Sequence, residues 1–426
     1  MKQGILLALW LLTHTIATAQ NMERARQNLQ ALSAPAMHGR GYVAEGDKKA
    51  AAFIREQFVK SGLKSFTPDY YQHFTLLLNT FPEDVELEVD DKELIPGRDF
   101  ILDAASAGGE GKAKVVYFDT LVFQNEAAGT RFLALNLKKK ALVIRQQDYD
   151  KLVILPDGFR KKIFEVRALV ILKKDKLTAT VAKEQLPVPV FEVLQSSWPA
   201  NTKKIEFEVD ADFKPEYQTQ NVIAFVPGSV YPDSFVVFTA HYDHLGRQGE
   251  DVYFPGANDN ASGTAMLLEL AHWYAQPQHK PPYSVAFIAF GAEEAGLVGS
   301  AYYTQHPFFP LRQISFLINI DLMGTGDAGM MVVNGKVFTS EYDQLVELNK
   351  QMQYLPELRS RGKAANSDHY HFTEKGVKSF FFYTLGGSPA YHHVDDVAEA
   401  LPLTKFPEVF KLIRDFAALR MQQPQR

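Results

Sequence analysis

Phe235-Val236-Val237-Phe238-Thr239-Ala240-His241-Tyr242-Asp243-His244 decides how the carboxy-terminal half of this chain folds. A nearly continuous apolar run that stops abruptly on imidazoles and carboxylates is a strand buried on both faces, with polar groups delivered at its carboxyl end. The pattern recurs. Val285–Phe290 runs into Gly291-Ala292-Glu293-Glu294, Phe316–Ile320 runs into Asp321, and Ser379–Tyr383 is followed, after a glycine loop, by Tyr391-His392-His393. From Asn221 onward, apolar strands alternate with helical stretches, the signature of a mixed, mostly parallel α/β sheet flanked by helices. The carboxyl ends of such strands lie along one edge, where open sheets place their sites. A fifth contribution comes from Gly256-Ala257-Asn258-Asp259-Asn260-Ala261-Ser262-Gly263, a small-residue loop feeding a helix that starts near Ser262, so Asp259 points into the same crevice.

Working outward, Phe406, Val409, Phe410, Ile413 and Phe416 share one face of a last helix over 404–420 that packs on the sheet. Between about 80 and 212 the texture changes to short β-rich runs, among them 114–118, 141–144, 168–172, 188–193 and 205–209, separated by glycine, lysine and proline turns. The chain is therefore divided into residues 20–79, an amino-terminal helical part of the main domain; 80–212, an inserted, mostly β unit; and 213–426, the α/β domain. Asp47, Ala50, Phe53, Ile54 and Phe58, with Gly62 beyond, read as a capped amphipathic helix. Residues 1–19 combine Lys2, an apolar run from Ile5 to Leu12 and a small-x-small close at Ala17-Thr18-Ala19, which predicts a cleaved signal peptide and an exported protein, periplasmic or extracellular. The apolar run is too short to span a bilayer, so no stable membrane insertion is expected.

Composition narrows the chemistry. The chain has 426 residues, 46% hydrophobic and 22% charged, enough for a large core, and its net charge of -5 gives no electrostatic reason for a nucleic-acid partner. It contains no cysteine, which removes thiol nucleophiles, disulfides and cysteine-held metals at once. Any metal must sit on His, Asp and Glu. Taking His241, Asp259, Glu294, Asp321 and His392 as ligands gives two imidazoles and three carboxylates, a donor set that suits two zinc ions sharing one carboxylate. Two dications, three carboxylates and one hydroxide come to zero net charge, whereas the carboxylates alone would repel one another. Glu293, next to a ligand, is placed as general base for the bridging water. Tyr391 is a donor for a developing oxyanion, and Asp243 orients the His241 imidazole from behind.

These residues resemble the two-zinc exopeptidases of metallopeptidase family 28, secreted bacterial aminopeptidases and glutamate carboxypeptidases among them. The matching segments are HYDHLG at 241–246, GANDNASGTA at 256–265, GAEEAGLVGS at 291–300, INIDLMG at 318–324, SDHYHF at 367–372 and YHHVDD at 391–396. The resemblance implies a phosphorylase/hydrolase-like core, with His241 and Asp321 on one zinc, Glu294 and His392 on the other, Asp259 bridging and Glu293 as base. It also implies a cis peptide at Asp259-Asn260, and likens the 80–212 unit to a protease-associated domain. Of the adjacent pair His392 and His393, spacing to Asp396 favours His392.

Other features carry less. His272, His279 and His306 lack carboxylate partners at strand ends and receive no role. His244 is a hydrogen bonder behind the ligands or a pocket wall; Asp368 and His369 shape the pocket or form a turn. Lys138-Lys139-Lys140 reads as a solvated turn. Gly324–Gly329 formally matches a dinucleotide fingerprint, but the Met330–Gly335 stretch after it reads as a hairpin, not a helix. Neither a GxSxG elbow nor an HExxH helix is present. The expected activity is an exported zinc aminopeptidase acting on peptides. A glutamate-carboxypeptidase-like peptidase would need arginines for a terminal carboxylate, with Arg247, Arg359 and Arg361 as candidates. A glutaminyl cyclase is the transferase alternative, and a ligand-poor receptor-like relative the non-enzymatic one.

Overall fold

The strands predicted from the apolar runs form, and their side chains alternate between two buried faces. On one face Val236, Phe238, Val285, Phe287, Phe316, Ile318 and Phe380 pack beneath helices Met22–Ser33, Gly46–Lys60, Gly263–Ala275 and Phe406–Arg420. On the other, Val237, Ala286, Ile288, Phe290 and Leu317 meet Tyr303, Phe309 and Phe372. Burial on both sides is why the sequence shows continuous apolar runs and no alternation. The computed structural model describes residues 21–422, so the expected signal peptide at 1–19 lies outside the described residues. Among the described residues no helix is long and apolar enough to cross a membrane.

The main sheet has eight strands, ordered Tyr71–Thr80, Asp212–Val226, Tyr283–Phe290, Tyr231–His241, Ile314–Asp321, Ser379–Thr384, Met330–Val333 and Leu358–Arg361. Its middle is parallel: Tyr231–His241 pairs in parallel with Tyr283–Phe290 and with Ile314–Asp321, which pairs in parallel with Ser379–Thr384. These are the four strands whose ends carry the candidate ligands. The predicted face of the last helix is buried as expected, with Phe406, Val409, Phe410, Ile413 and Phe416 fully covered.

A second eight-stranded sheet lies between Val85 and Val209. All five β runs read from the sequence occur in it. The mostly β reading missed three helices, Glu126–Ala134, Gln146–Lys151 and Asp157–Ile163, which cover one face of the parallel strands 109–117, 140–145, 168–173 and 190–194. The first had a readable start, since the Asn125 side chain caps it by accepting from the Ala128 N–H.

Two local expectations are corrected. Asp47 does not cap the helix Gly46–Lys60; it sits inside the first turn, fully buried, and accepts from Tyr217 Oη and Thr219 Oγ1 at 2.7 Å each. Burial pushes its carboxyl up to about 6 against those bonds. Met330–Val333 is no hairpin: it joins the main sheet, parallel to Leu358–Arg361 and antiparallel to Ser379–Thr384, before the helix Thr339–Met352. Glycines that break the local pattern hide such non-local pairing from a sequence window.

Candidate metal centre

Each of the five candidate ligands leaves the end of a strand or the loop before a helix, and the structure brings all five together. Asp259 is central. Its Oδ1 faces His241 Nε2 at 3.3 Å, and its Oδ2 faces His392 Nε2 at 3.1 Å. His241 Nε2 is also 3.4 Å from Asp321 Oδ2, and His392 Nε2 is 3.3 Å from Glu294 Oε2. The arrangement falls into two halves, His241 with Asp321 and His392 with Glu294, joined through the two oxygens of one carboxylate.

These spacings fit metal. A tetrahedral zinc ion with donors at the usual distances holds them about 3.3 Å apart. His392 Nε2 is buried and has no hydrogen-bond partner although two carboxylate oxygens lie within 3.3 Å. An ordinary ion pair would align the N–H with one oxygen; a nitrogen close to both and bonded to neither is aimed at a point they share. Both candidate histidines also bond through Nδ1 to a backbone carbonyl, His241 to Asp243 O at 3.1 Å and His392 to Ala179 O at 3.0 Å. A carbonyl only accepts, so Nδ1 carries the proton, which leaves Nε2 as the nitrogen that would offer its lone pair to a metal.

The loop carrying Asp259 is held from several sides. Asp396, which the sequence reading used only as a spacer, accepts from the Asn258 and Asp259 N–H groups at 3.0 Å. Beneath it the guanidinium of Arg40, fully buried, donates to the carbonyls of Leu32, Tyr242, Pro255, Gly256 and Asp259 at 2.7–3.1 Å. Burial lowers its pKa to about 10, and the carboxylates of Asp259, Asp396, Asp243 and Glu294 pull the other way. No periodicity or motif singled out this arginine. Gly256 has φ +55°, and a Cβ there would strike the Asp259 carbonyl and the His244 ring, so the turn requires glycine. The Asp259-Asn260 peptide is cis, as the resemblance implied.

Asp243 meets the His241 ring through its backbone and has a second task through its side chain. Its backbone carbonyl holds His241, while its carboxylate accepts from the N–H groups of Glu293 at 3.0 Å and Glu294 at 3.2 Å, fixing the turn that carries both. Burial pushes its carboxyl up to about 7. His244 Nδ1 bonds Glu294 Oε1 at 2.8 Å, so of its two expected placements the structure shows the hydrogen bonder behind a candidate ligand. Burial raises the Glu293 carboxyl well above its ordinary value; His241 opposes, and Glu294 and Asp368 add to the rise. Tyr391 is half-exposed and stacks on the His392 ring with centroids 3.9 Å apart. Burial raises its phenol, and the charges of Asp259, Glu294 and Asp321 add to the rise. Asp368 and His369 are fully buried. His393 points to Asp395 at 3.4 Å, outside the ligand set.

A carboxylate facing an imidazole through each of its oxygens, at the carboxyl edge of a mostly parallel sheet, is a donor set suited to a metal-dependent hydrolase. Residues 221–417 match peptidase family M28, so this stretch carries an M28 peptidase domain. Aminopeptidase YwaD of Bacillus subtilis (strain 168) is 27% identical over 335 residues, covering 74% of this chain and 70% of that protein. The structure of BSAP, a zinc aminopeptidase from Bacillus subtilis, has the same fold, with a TM-score of 0.71 and 21% identity over 95% of this chain and 96% of that one. A peptidase M28 precursor from Shewanella amazonensis SB2B matches with a TM-score of 0.70 and 16% identity, over 96% and 95%.

Proposed function

We propose that this chain is an exported aminopeptidase that removes amino-terminal residues from peptides with two zinc ions. The observation that carries the reading is Asp259, whose two oxygens each face a different imidazole. His241 and Asp321 would hold one ion, His392 and Glu294 the other, and Asp259 both. Zinc there would supply an acidic water and polarise the scissile carbonyl. The rest falls to the protein. Glu293 takes the proton from the attacking water and returns it to the leaving amine. Tyr391 donates a hydrogen bond to the oxygen that gains charge, and the carboxylate-rich crevice receives the free amine of the substrate. Residues 80–212 are an inserted unit on a peptidase domain made of 20–79 and 213–426.

The names of the relatives support this reading, as does the placement of the arginines a carboxypeptidase would need. Arg247 bonds Gly249 O and the His38 ring, Arg359 is exposed and paired with Glu357 at 2.8 Å, and Arg361 is exposed at the end of the edge strand Leu358–Arg361. A panel of aminoacyl reporters, dipeptides with acidic carboxy-terminal residues and glutaminyl peptides distinguishes the readings. Turnover of the reporters, abolished by chelation, is expected; release of carboxy-terminal glutamate or formation of pyroglutamate alone would overturn the proposal.

Tyr391→Phe is expected to keep its zinc and lower kcat by at most about a hundredfold, because metal shares the task of steadying the oxyanion. Unchanged kcat would remove Tyr391 from that role.

A further inference from the structure

The connection between the strands Ala168–Lys173 and Val190–Leu194 of the second sheet reaches across to the metal ligands. Ala179 and His392 exchange two hydrogen bonds: His392 Nδ1–H donates to Ala179 O at 3.0 Å, and the Ala179 N–H donates to His392 O at 3.1 Å. Three residues earlier, Lys176 Nζ donates to the carbonyls of Pro389 at 3.0 Å and Tyr391 at 2.6 Å. The ammonium thus pulls together the loop that ends in His392. Further along, Ala182 O accepts from the Asn79 N–H at 3.0 Å and ties the segment to a strand of the main sheet. Leu177 and Ala179 are buried against Leu245, Val252 and Phe254, which belong to the loops beside His241 and Asp259.

We propose that this arm, residues 174–183, is a working part of the metal centre: through Ala179 and Lys176 it sets the orientation of His392, and with it the affinity of the zinc position that His392 shares with Glu294. The inference rests on the two-zinc reading and extends it to a segment of the 80–212 unit. A ligating imidazole is held in tautomer and angle by whatever accepts its other N–H, and loss of such a partner costs about 10–100-fold in metal affinity. Here the acceptor comes from the second sheet, so that sheet is coupled to one metal position. His241 takes its acceptor from Asp243 in its own strand-end loop, so its tautomer and ring angle are not set by the arm. Lys176 also lines a cavity of about 460 Å³ with Thr325, Pro389, His393 and Leu401, so the same contact shapes the space next to Tyr391.

Zinc competition against a chromophoric chelator on the full chain tests this with Lys176→Ala, Ala179→Pro and the conservative Lys176→Arg. Ala179→Pro removes the N–H given to His392; Lys176→Ala removes both loop contacts from a partly exposed side chain whose loss leaves the core packing in place. Each is expected to weaken one of two zinc ions about tenfold or more and leave the other at wild-type affinity, with Lys176→Arg close to wild type. Two zinc ions held with wild-type affinity in both Lys176→Ala and Ala179→Pro would overturn the proposal while leaving the two-zinc reading intact. Wild-type protein that binds fewer than two would sink that reading, and this inference with it.

Discussion

Glu293→Gln is expected to bind zinc as the wild type does and to lose about 10²–10⁴-fold in kcat, the usual worth of a positioned general base. Glutamine keeps the volume and one carbonyl oxygen but cannot accept the proton. The turn that carries it is held through the backbone, by the Asp243 carboxylate on the Glu293 and Glu294 N–H groups, so the substitution leaves Glu294 where it is. Metal content and KM should therefore stay near wild type while turnover collapses. A variant with kcat within about twofold of wild type would remove Glu293 from the chemistry. Loss of zinc together with activity would show instead that the side chain holds metal.

Arg40→Met should cost about 3–5 kcal/mol of stability, because it strips a buried cation from a setting that answers to it. Five donated bonds disappear at once, three of them to carbonyls of the 255–259 loop that carries the bridging carboxylate. The aliphatic replacement fills part of the space and satisfies none of the oxygens. Arg40→Lys keeps the charge but has three N–H donors on one atom, so it cannot reach carbonyls spread around a planar fork and should recover only part of the loss. Urea unfolding of the three proteins decides it. A loss below about 1 kcal/mol for Arg40→Met would mean that water or neighbouring donors take over the carbonyls.

The candidate metal residues were legible because four of them stand at or just beyond the ends of apolar strands, where a parallel sheet collects its polar groups, and the fifth, Asp259, lies in a small-residue loop before a helix, each within a contiguous motif. The residues that hold them were not, because they come from far away in the chain. Arg40 lies in a short glycine-flanked turn with no periodicity, and its contact with the Asp259 loop is made across more than two hundred residues of chain. Asp396 is close to His392 in sequence, but its bonds are to the backbone at 258–259, a contact that spacing does not reveal. Asp243 is two residues past His241 and does meet its ring, but spacing does not say with which atom: the bond is to its carbonyl, while its carboxylate goes to the 293–294 turn. The helices over the second sheet were missed because short amphipathic stretches such as Glu126–Ala134 were outweighed by the β runs on either side. Asp47 was placed as a helix cap because an acidic residue at a helix start is a common cap, and only the tertiary fold brings Tyr217 and Thr219 to it.

The central claim is that five side chains cage a pair of divalent cations around Asp259. Zinc content per chain, measured on purified wild-type protein and on Asp259→Ala, tests it most directly. Two zinc ions in the wild type, removed by chelator with activity and restored by added zinc, and loss of both in Asp259→Ala are the predicted results. Full activity in wild-type protein stripped of metal, or two zinc ions retained by Asp259→Ala, would contradict it.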